Sequence, residues 1–314
     1  MDVGQSLRPL LPASAVGTVK AVEAFQMGKS GAGVYAVTTD RGEYVLRVQG
    51  AHVDTPFEEH IALLRRVAER GIAPAIVHVD DGARAVVTKR IQGLSLAAAL
   101  GDTAQRTAFL GSLVAQLRAL QALDATNVPA RDPVGYARRV WDEQRTRPAF
   151  PKWGREMDGL LADGARALAE DPRRVLGHND MNPSNVLWDG TQVWLVDWDA
   201  AGTAHPFYDL AVFVMFLDLP PDAAHGLLAL QQGVPPTDRE RETFALLRRL
   251  SALLTGSLFL RFVPDLSRFA APTRADAPTM AQCKADMTAG KLDLSAPSGC
   301  AAFGLALLGI AANQ

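Results

Sequence analysis

Hydrophobic and polar positions along this chain change their period near residue 93. Before it, short apolar runs alternate with turn residues, and they predict strands at 19–25, 34–39, 43–48, 76–79 and 85–91. Asp40-Arg41-Gly42 and Asp80-Asp81-Gly82 are turn signals, and the glycine-rich residues 28–33 join the first two strands. A helix interrupts the series. Thr55-Pro56-Phe57-Glu58 supplies a hydroxyl N-cap, a proline at the first helical position and a glutamate three residues after the cap. Ile61, Leu64 and Val67 then keep the helical spacing as far as Gly71. Pro9 and Pro12 limit any leading helix over residues 6–11.

Past the expected hinge at Gln92-Gly93 the period becomes helical. Phe109, Leu113, Leu117 and Leu120 lie on one face of a helix expected over 103–123. Further helices are expected at 134–145, 157–169, 210–217, 222–231 and 238–262, with a packed terminal helix at 300–312. The pattern therefore predicts an α+β protein, with a small antiparallel sheet in residues 1–93 and a mainly helical region in 94–314.

One hairpin is embedded in the helical region. Apolar runs at 186–188 and 193–196 flank Asp189-Gly190, a strong two-residue turn signal. Asp180 and Asn185 precede the first run and Asp197 follows the second. A hairpin brings its open ends together, so these oxygen-bearing side chains are expected to converge. Such a set suits Mg²⁺, a hard cation that takes a few protein oxygens and keeps room for water and phosphate. It also leaves one carboxylate to orient a hydroxyl nucleophile.

The same residues resemble a known signature. His178-Asn179-Asp180-Met181-Asn182-Pro183-Ser184-Asn185, followed by Val196-Asp197-Trp198-Asp199 and then Pro206-Phe207-Tyr208-Asp209-Leu210, is similar to the catalytic core of the aminoglycoside phosphotransferase and choline kinase superfamily. The resemblance implies a two-lobed protein-kinase-like fold and Mg²⁺-dependent transfer of the γ-phosphate of ATP or GTP to a hydroxyl group. It further implies that Asp180 is the catalytic base and that Asn185 and Asp197 are the metal ligands. His178, Asp199 and Asp209 are implied as structural support, with Asp199 also open to a water-mediated reach to a second metal or to plain solvation. Ser30 and Gly31, in the loop between the first two strands, are implied to meet nucleotide phosphates, although Gly28, Gly31 and Gly33 do not match G-x-G-x-x-G.

The third strand departs from the usual pattern. Val45-Leu46-Arg47-Val48 offers arginine where related kinases place lysine, and a guanidinium can clamp phosphate with two parallel bonds. Its expected carboxylate brace is Glu59, with Glu58 assigned to the capping box and His60 at the neighbouring register. Choline kinase-like members tend to share the arginine, and His178-Asn179-Asp180 is similar to choline and ethanolamine kinases. The implied acceptor is thus a small amine-bearing molecule, with a hydroxylated antibiotic as the alternative. A quaternary amine calls for aromatic rings, for which Trp141, Tyr208, Phe213, Phe216 and Phe259 are candidates. An aminoglycoside calls for acids, for which Asp218, Asp265, Asp286 and Asp293 are candidates. A non-catalytic nucleotide-binding module fits less well, because Asp180, Asn185 and Asp197 are all present.

Composition narrows the partners. A formal net charge of −2 with no basic run argues against nucleic acid. No run of about 18 apolar residues is evident, which argues against a membrane span. The opening residues lack a secretory pattern, so Cys283 and Cys300 are expected as free thiols in a cytoplasmic protein.

Overall fold

The computed structural model describes residues 6–25, 33–50 and 55–312. Two compact units are present: Met1–Val128 with Pro183–Ala201, and Pro129–Asn182 with Gly202–Gln314.

In the first unit β1 (Val19–Ala24), β2 (Gly33–Thr39), β3 (Glu43–Val48), β4 (Ile76–Asp80) and β5 (Ala85–Lys89) form a five-stranded sheet in the order β1-β2-β3-β5-β4. Every pairing is antiparallel. Tyr44 and Leu46 on β3 join Leu11, Val16, Val37, Ala85 and Val87 in one buried cluster. Side chains alternate along a strand, so Arg47 points to the other face. There it stands between Val34 of β2 and Val86 of β5, on an interior strand.

Helix α1 (Phe57–Glu69) buries Phe57, His60, Ile61, Leu63, Leu64 and Val67. Its expected capping box does not form. Pro56 is the N-cap residue and has no side-chain acceptor, while the Thr55 carbonyl receives the Gln49 side-chain amide at 3.1 Å. After Gly93 the Leu94 N–H bonds to the Trp188 carbonyl at 2.6 Å. Two helices follow, α2 (Leu96–Gly101) capped by Ser95 and α3 (Thr103–Gln121) capped by Asp102. The hairpin β6 (Val186–Trp188) and β7 (Val193–Leu195) belongs to this unit, with Val186 opposite Leu195 and Trp188 opposite Val193. Its Leu195 N–H bonds to the Ile72 carbonyl at 2.8 Å, just beyond α1.

The second unit holds α4 (Pro133–Arg145), α5 (Asp158–Glu170), α6 (Tyr208–Leu217), α7 (Pro221–Gln232), α8 (Asp238–Arg261), α9 (Met280–Thr288) and α10 (Pro297–Ala311). Helix α8 packs against α4, α5, α6 and α10. Glycines set its closest approach. A Cβ on Gly256 would lie 2.9 Å from the Gly304 carbonyl oxygen, so the backbones of α8 and α10 meet without a side chain between them. Contrary to the sequence expectation, α8 is long and apolar enough to cross a membrane by length and composition; 61% of its apolar window is buried. Cys283 and Cys300 are buried thiols not joined in a disulfide.

A two-stranded ribbon, Val175–Gly177 against Gly202–Ala204, was not visible in the sequence. Three-residue strands are too short to show a period. Their signal is instead Gly202, where a Cβ would come within 2.5 Å of the Pro129 carbonyl oxygen.

Candidate active site

The first unit gathers Arg47, His60, Asn185, Asp197 and Asp199. The hairpin turn is held by Asp189, whose carboxylate accepts the Thr191 and Gln192 N–H groups at 2.8 and 2.7 Å and the Trp194 indole at 2.7 Å. Partial burial opposes ionisation, but these bonds outweigh it and bring the Asp189 pKa down to about 2. At the open end the Val196 N–H bonds to the Asn185 carbonyl at 3.0 Å. Asn185 and Asp197 therefore border the same closure. Asp197 adopts a left-handed backbone, φ 64° and ψ 74°, a conformation that Asp tolerates better than most residues at a cost of about 1–2 kcal/mol.

Arg47 reaches across to this end. Its Nη2 donates to Asp197 Oδ1 at 3.3 Å and, more closely, to Asp199 Oδ2. The His60 ring approaches the same Asp199 carboxylate, Nδ1 to Oδ1 3.8 Å, with only 4% of its side chain exposed. Burial lowers the His60 pKa; Asp199 opposes that effect and Arg47 adds to it.

The expected Arg47–Glu59 pair is not made. Successive helix residues differ by about 100° around the axis, and the inward place belongs to His60. Glu59 is exposed and lines a cavity of about 430 Å³ with Arg66, Asp124 and Asn127. Asp199, expected as a supporting residue, is the carboxylate that Arg47 engages most closely. Ser30 and Gly31 lie outside the described residues.

The donor chemistry at this end suits Mg²⁺. Asn185 offers an amide oxygen and Asp197 a carboxylate with 39% of its side chain exposed, which leaves room for further ligands. No group of three or more His, Cys, Asp and Glu side chains able to hold a metal occurs among the described residues. Mg²⁺ in phosphoryl-transfer sites uses one or two protein carboxylates and completes its shell with phosphate and water, so it needs no such cage.

The second unit carries the loop from His178 to Asn182. Asp209, in the first turn of α6, accepts the His178 N–H at 2.8 Å and the Asn179 N–H at 2.7 Å, one with each oxygen. Burial pushes its pKa up, while His178 and the two N–H groups oppose the rise. The Asp180 N–H donates to His178 Nδ1 at 3.3 Å, so Nε2 carries the imidazole hydrogen. Asn179 has a left-handed φ of 63°, and its side-chain amide donates to the Gly177 and Gly202 carbonyls at 3.3 and 3.1 Å. Asp180 Oδ1 accepts from the Asn182 side chain at 3.0 Å. Gly177 leaves little room for a larger residue: a Cβ there would sit 3.1 Å from Asp209 Oδ2 and 3.2 Å from Asn179 Oδ1, so those groups would have to give by a few tenths of an ångström.

Trp141, Tyr208 and Phe213, considered as amine-binding aromatics, are buried core residues, and Phe216 and Phe259 pack on Phe303. Of the candidate acids, Asp265 and Asp293 accept from Ser267 and Ser295, and Asp218 pairs with Arg248 at 3.3 Å. Sequence reasoning gave His60 no role of its own, although a histidine on the apolar face of α1 was the available signal. Nor did it foresee the Asn179 bonds that tie the loop to the ribbon.

Residues 22–245 match the model of the phosphotransferase enzyme family. The chain belongs to this family. No curated protein matches it in sequence. The phosphotransferase is similar in fold to a choline/ethanolamine kinase family protein from Mesorhizobium loti, with TM-score 0.69, 20% identity and 98% of each chain covered. Choline kinase LicA from Streptococcus pneumoniae gives TM-score 0.62 and 15% identity over 82% of this chain and 88% of its own. An aminoglycoside-3'-phosphotransferase of type VIII gives TM-score 0.56 and 24% identity over 79% of this chain and 98% of its own. The phosphotransferase has the kinase-like fold of these structures, with an antiparallel sheet near its start and a largely helical remainder.

Proposed function

We propose that this phosphotransferase is a small-molecule kinase that moves the γ-phosphate of ATP or GTP onto a hydroxyl of a small amine-bearing molecule of the choline, ethanolamine or thiamine kind. Residues 1–93 serve as the nucleotide-binding lobe and residues 94–314 as the catalytic and acceptor-binding lobe. Asn185 and Asp197 would hold Mg²⁺, which when bound neutralises charge on the nucleotide phosphates. Arg47 binds the phosphates as a clamp, and Ser30 and Gly31, which precede β2 in the sequence, add donors.

Asp180 accepts the proton of the acceptor hydroxyl as its oxygen bonds to the γ-phosphorus and the bond to the nucleoside diphosphate oxygen breaks. One observation carries this assignment. The backbone at Asp180 is fixed by the Asp209 bonds to His178 and Asn179, so its carboxylate stands on a loop that need not reorganise during reaction. Likeness to choline and ethanolamine kinase structures supports the amine-bearing acceptor. Likeness to the aminoglycoside-3'-phosphotransferase supports a second reading, a hydroxylated antibiotic.

The test is transfer from ATP and, separately, GTP with Mg²⁺ to two pools. One contains choline, ethanolamine and thiamine, the other aminoglycosides and further hydroxylated antibiotics. Mass spectrometry reads a product heavier by one phosphoryl group. Product from the first pool is the expected result; product from the second alone favours the antibiotic reading. No product from either, with Mg-nucleotide bound, counts against both.

A further inference from the structure

A kinase-like site commonly fixes its phosphate-binding cation with a carboxylate from the helix that follows the strand bearing it. In this protein that arrangement is broken at a definite place. Helix α1 turns His60 inward and leaves Glu58 and Glu59 exposed. Arg47 takes its carboxylate from Asp199 instead. His60 contacts the opposite oxygen of that same group, Oδ1, while Arg47 engages Oδ2. Asp199 thus lies between a guanidinium on β3, which bonds Oδ2, and an imidazole on α1, whose Nδ1 stands 3.8 Å from Oδ1, near enough to act through charge and packing but too far for a hydrogen bond. All three belong to the first unit.

Resting on the proposed function, we infer that His60 and Asp199 are the positioning pair for Arg47: Asp199 replaces the missing helix carboxylate, and His60 sets the orientation of Asp199. The side chains that touch Asp199 decide the matter. A guanidinium with 14% of its side chain exposed needs a partner to hold one rotamer, and Asp197 at 3.3 Å offers a single, longer contact. Asp197 is also the residue required for metal. Asp199 therefore frees Asp197 for that task without leaving Arg47 unpaired. A hairpin-end carboxylate doing the work of a helix carboxylate also explains why His60 is tolerated on the apolar face of α1.

Two predictions of opposite sign separate positioning from simple charge. If Asp199 only adds negative charge near the phosphates, Asp199→Asn strengthens binding of ADP in the absence of Mg²⁺. If it positions Arg47, the same change weakens that binding. Calorimetry with ADP and EDTA reads the difference without metal and without turnover. The expected loss is about tenfold for Asp199→Asn, with a smaller loss for His60→Gln. The decisive variant is His60→Glu in the Asp199→Asn background, which returns a carboxylate to α1 and is expected to recover most of the lost affinity. Thermal unfolding of each variant identifies any that fails to fold, and the His60→Gln result then carries the test in its place. Unchanged or tighter ADP binding by Asp199→Asn, or no recovery by the double variant, overturns the inference. Arg47→Ala distinguishes the two readings. If it too leaves Mg-free ADP affinity unchanged, the clamp assigned to Arg47 fails; if it alone weakens binding, only the positioning pair fails.

Discussion

Asp209 and Arg47 both carry charge into partly or wholly buried surroundings, one answered by backbone and the other by side chains. Asp209 spends both oxygens on consecutive N–H groups, so the loop it holds is fixed whatever side chains that loop bears. Arg47 is answered by Asp197 and Asp199, two carboxylates carried on side chains at the hairpin end. The loop from His178 to Asp180 is thus held through its backbone, and the hairpin end through side-chain pairs that, on the proposed function, regroup around phosphate and metal. Phosphoryl transfer asks for both properties: a base held in position, and cationic and anionic groups that regroup around a polyphosphate.

The largest effect expected on this comparison is at Asp180. Asp180→Ala should lower turnover by about 10³-fold or more while Mg-nucleotide binding survives, as measured by product formation beside calorimetry. Turnover near wild type removes Asp180 from the mechanism. Asp209→Ala comes next, because it strands one buried and one partly buried N–H group. Urea unfolding should show a loss of about 2–4 kcal/mol, with turnover falling in parallel. A change under 0.5 kcal/mol, within the range of ordinary surface substitutions, contradicts a loop held by that carboxylate.

Gly177→Ala sharpens the comparison at smaller cost. Its new Cβ presses on Asp209 Oδ2 and Asn179 Oδ1, so turnover should fall by about tenfold with nucleotide affinity kept. An equal loss in nucleotide affinity means the strain is not confined to the loop. The mildest effect belongs to the hairpin turn. Asp189 has its pKa depressed in the folded state, so the stability it contributes is present above its ordinary value of 3.8 and is lost as pH falls toward about 2. Asp189→Asn should flatten the acid limb of the unfolding curve across that interval. An unchanged acid limb removes the turn from the acid response.

Much of this was legible in the residues. The strands of the sheet and the hairpin showed because apolar runs bracket turn chemistry such as Asp189-Gly190, and both signals are local. The placing of Asn185 and Asp197 at the open end of that hairpin was equally plain. What stayed hidden depended on rotation or on contact between distant segments. Choosing Glu59 over His60 is an error of one residue, about 100° on a helix, and no spacing in the sequence resolves it. The Asn179 bonds to Gly177 and Gly202 require a ribbon whose strands are three residues each. The capping box at Thr55 failed because Pro56 took the cap position, a competition that propensity alone does not decide.

Most direct is calorimetric titration of ATP into the wild-type protein and Asp197→Ala, each with and without Mg²⁺. The account predicts that Mg²⁺ tightens ATP binding to the wild type and that this gain disappears in the variant. An equal gain in both proteins contradicts the assignment of Asp197 to the metal, and with it the role proposed for the hairpin end.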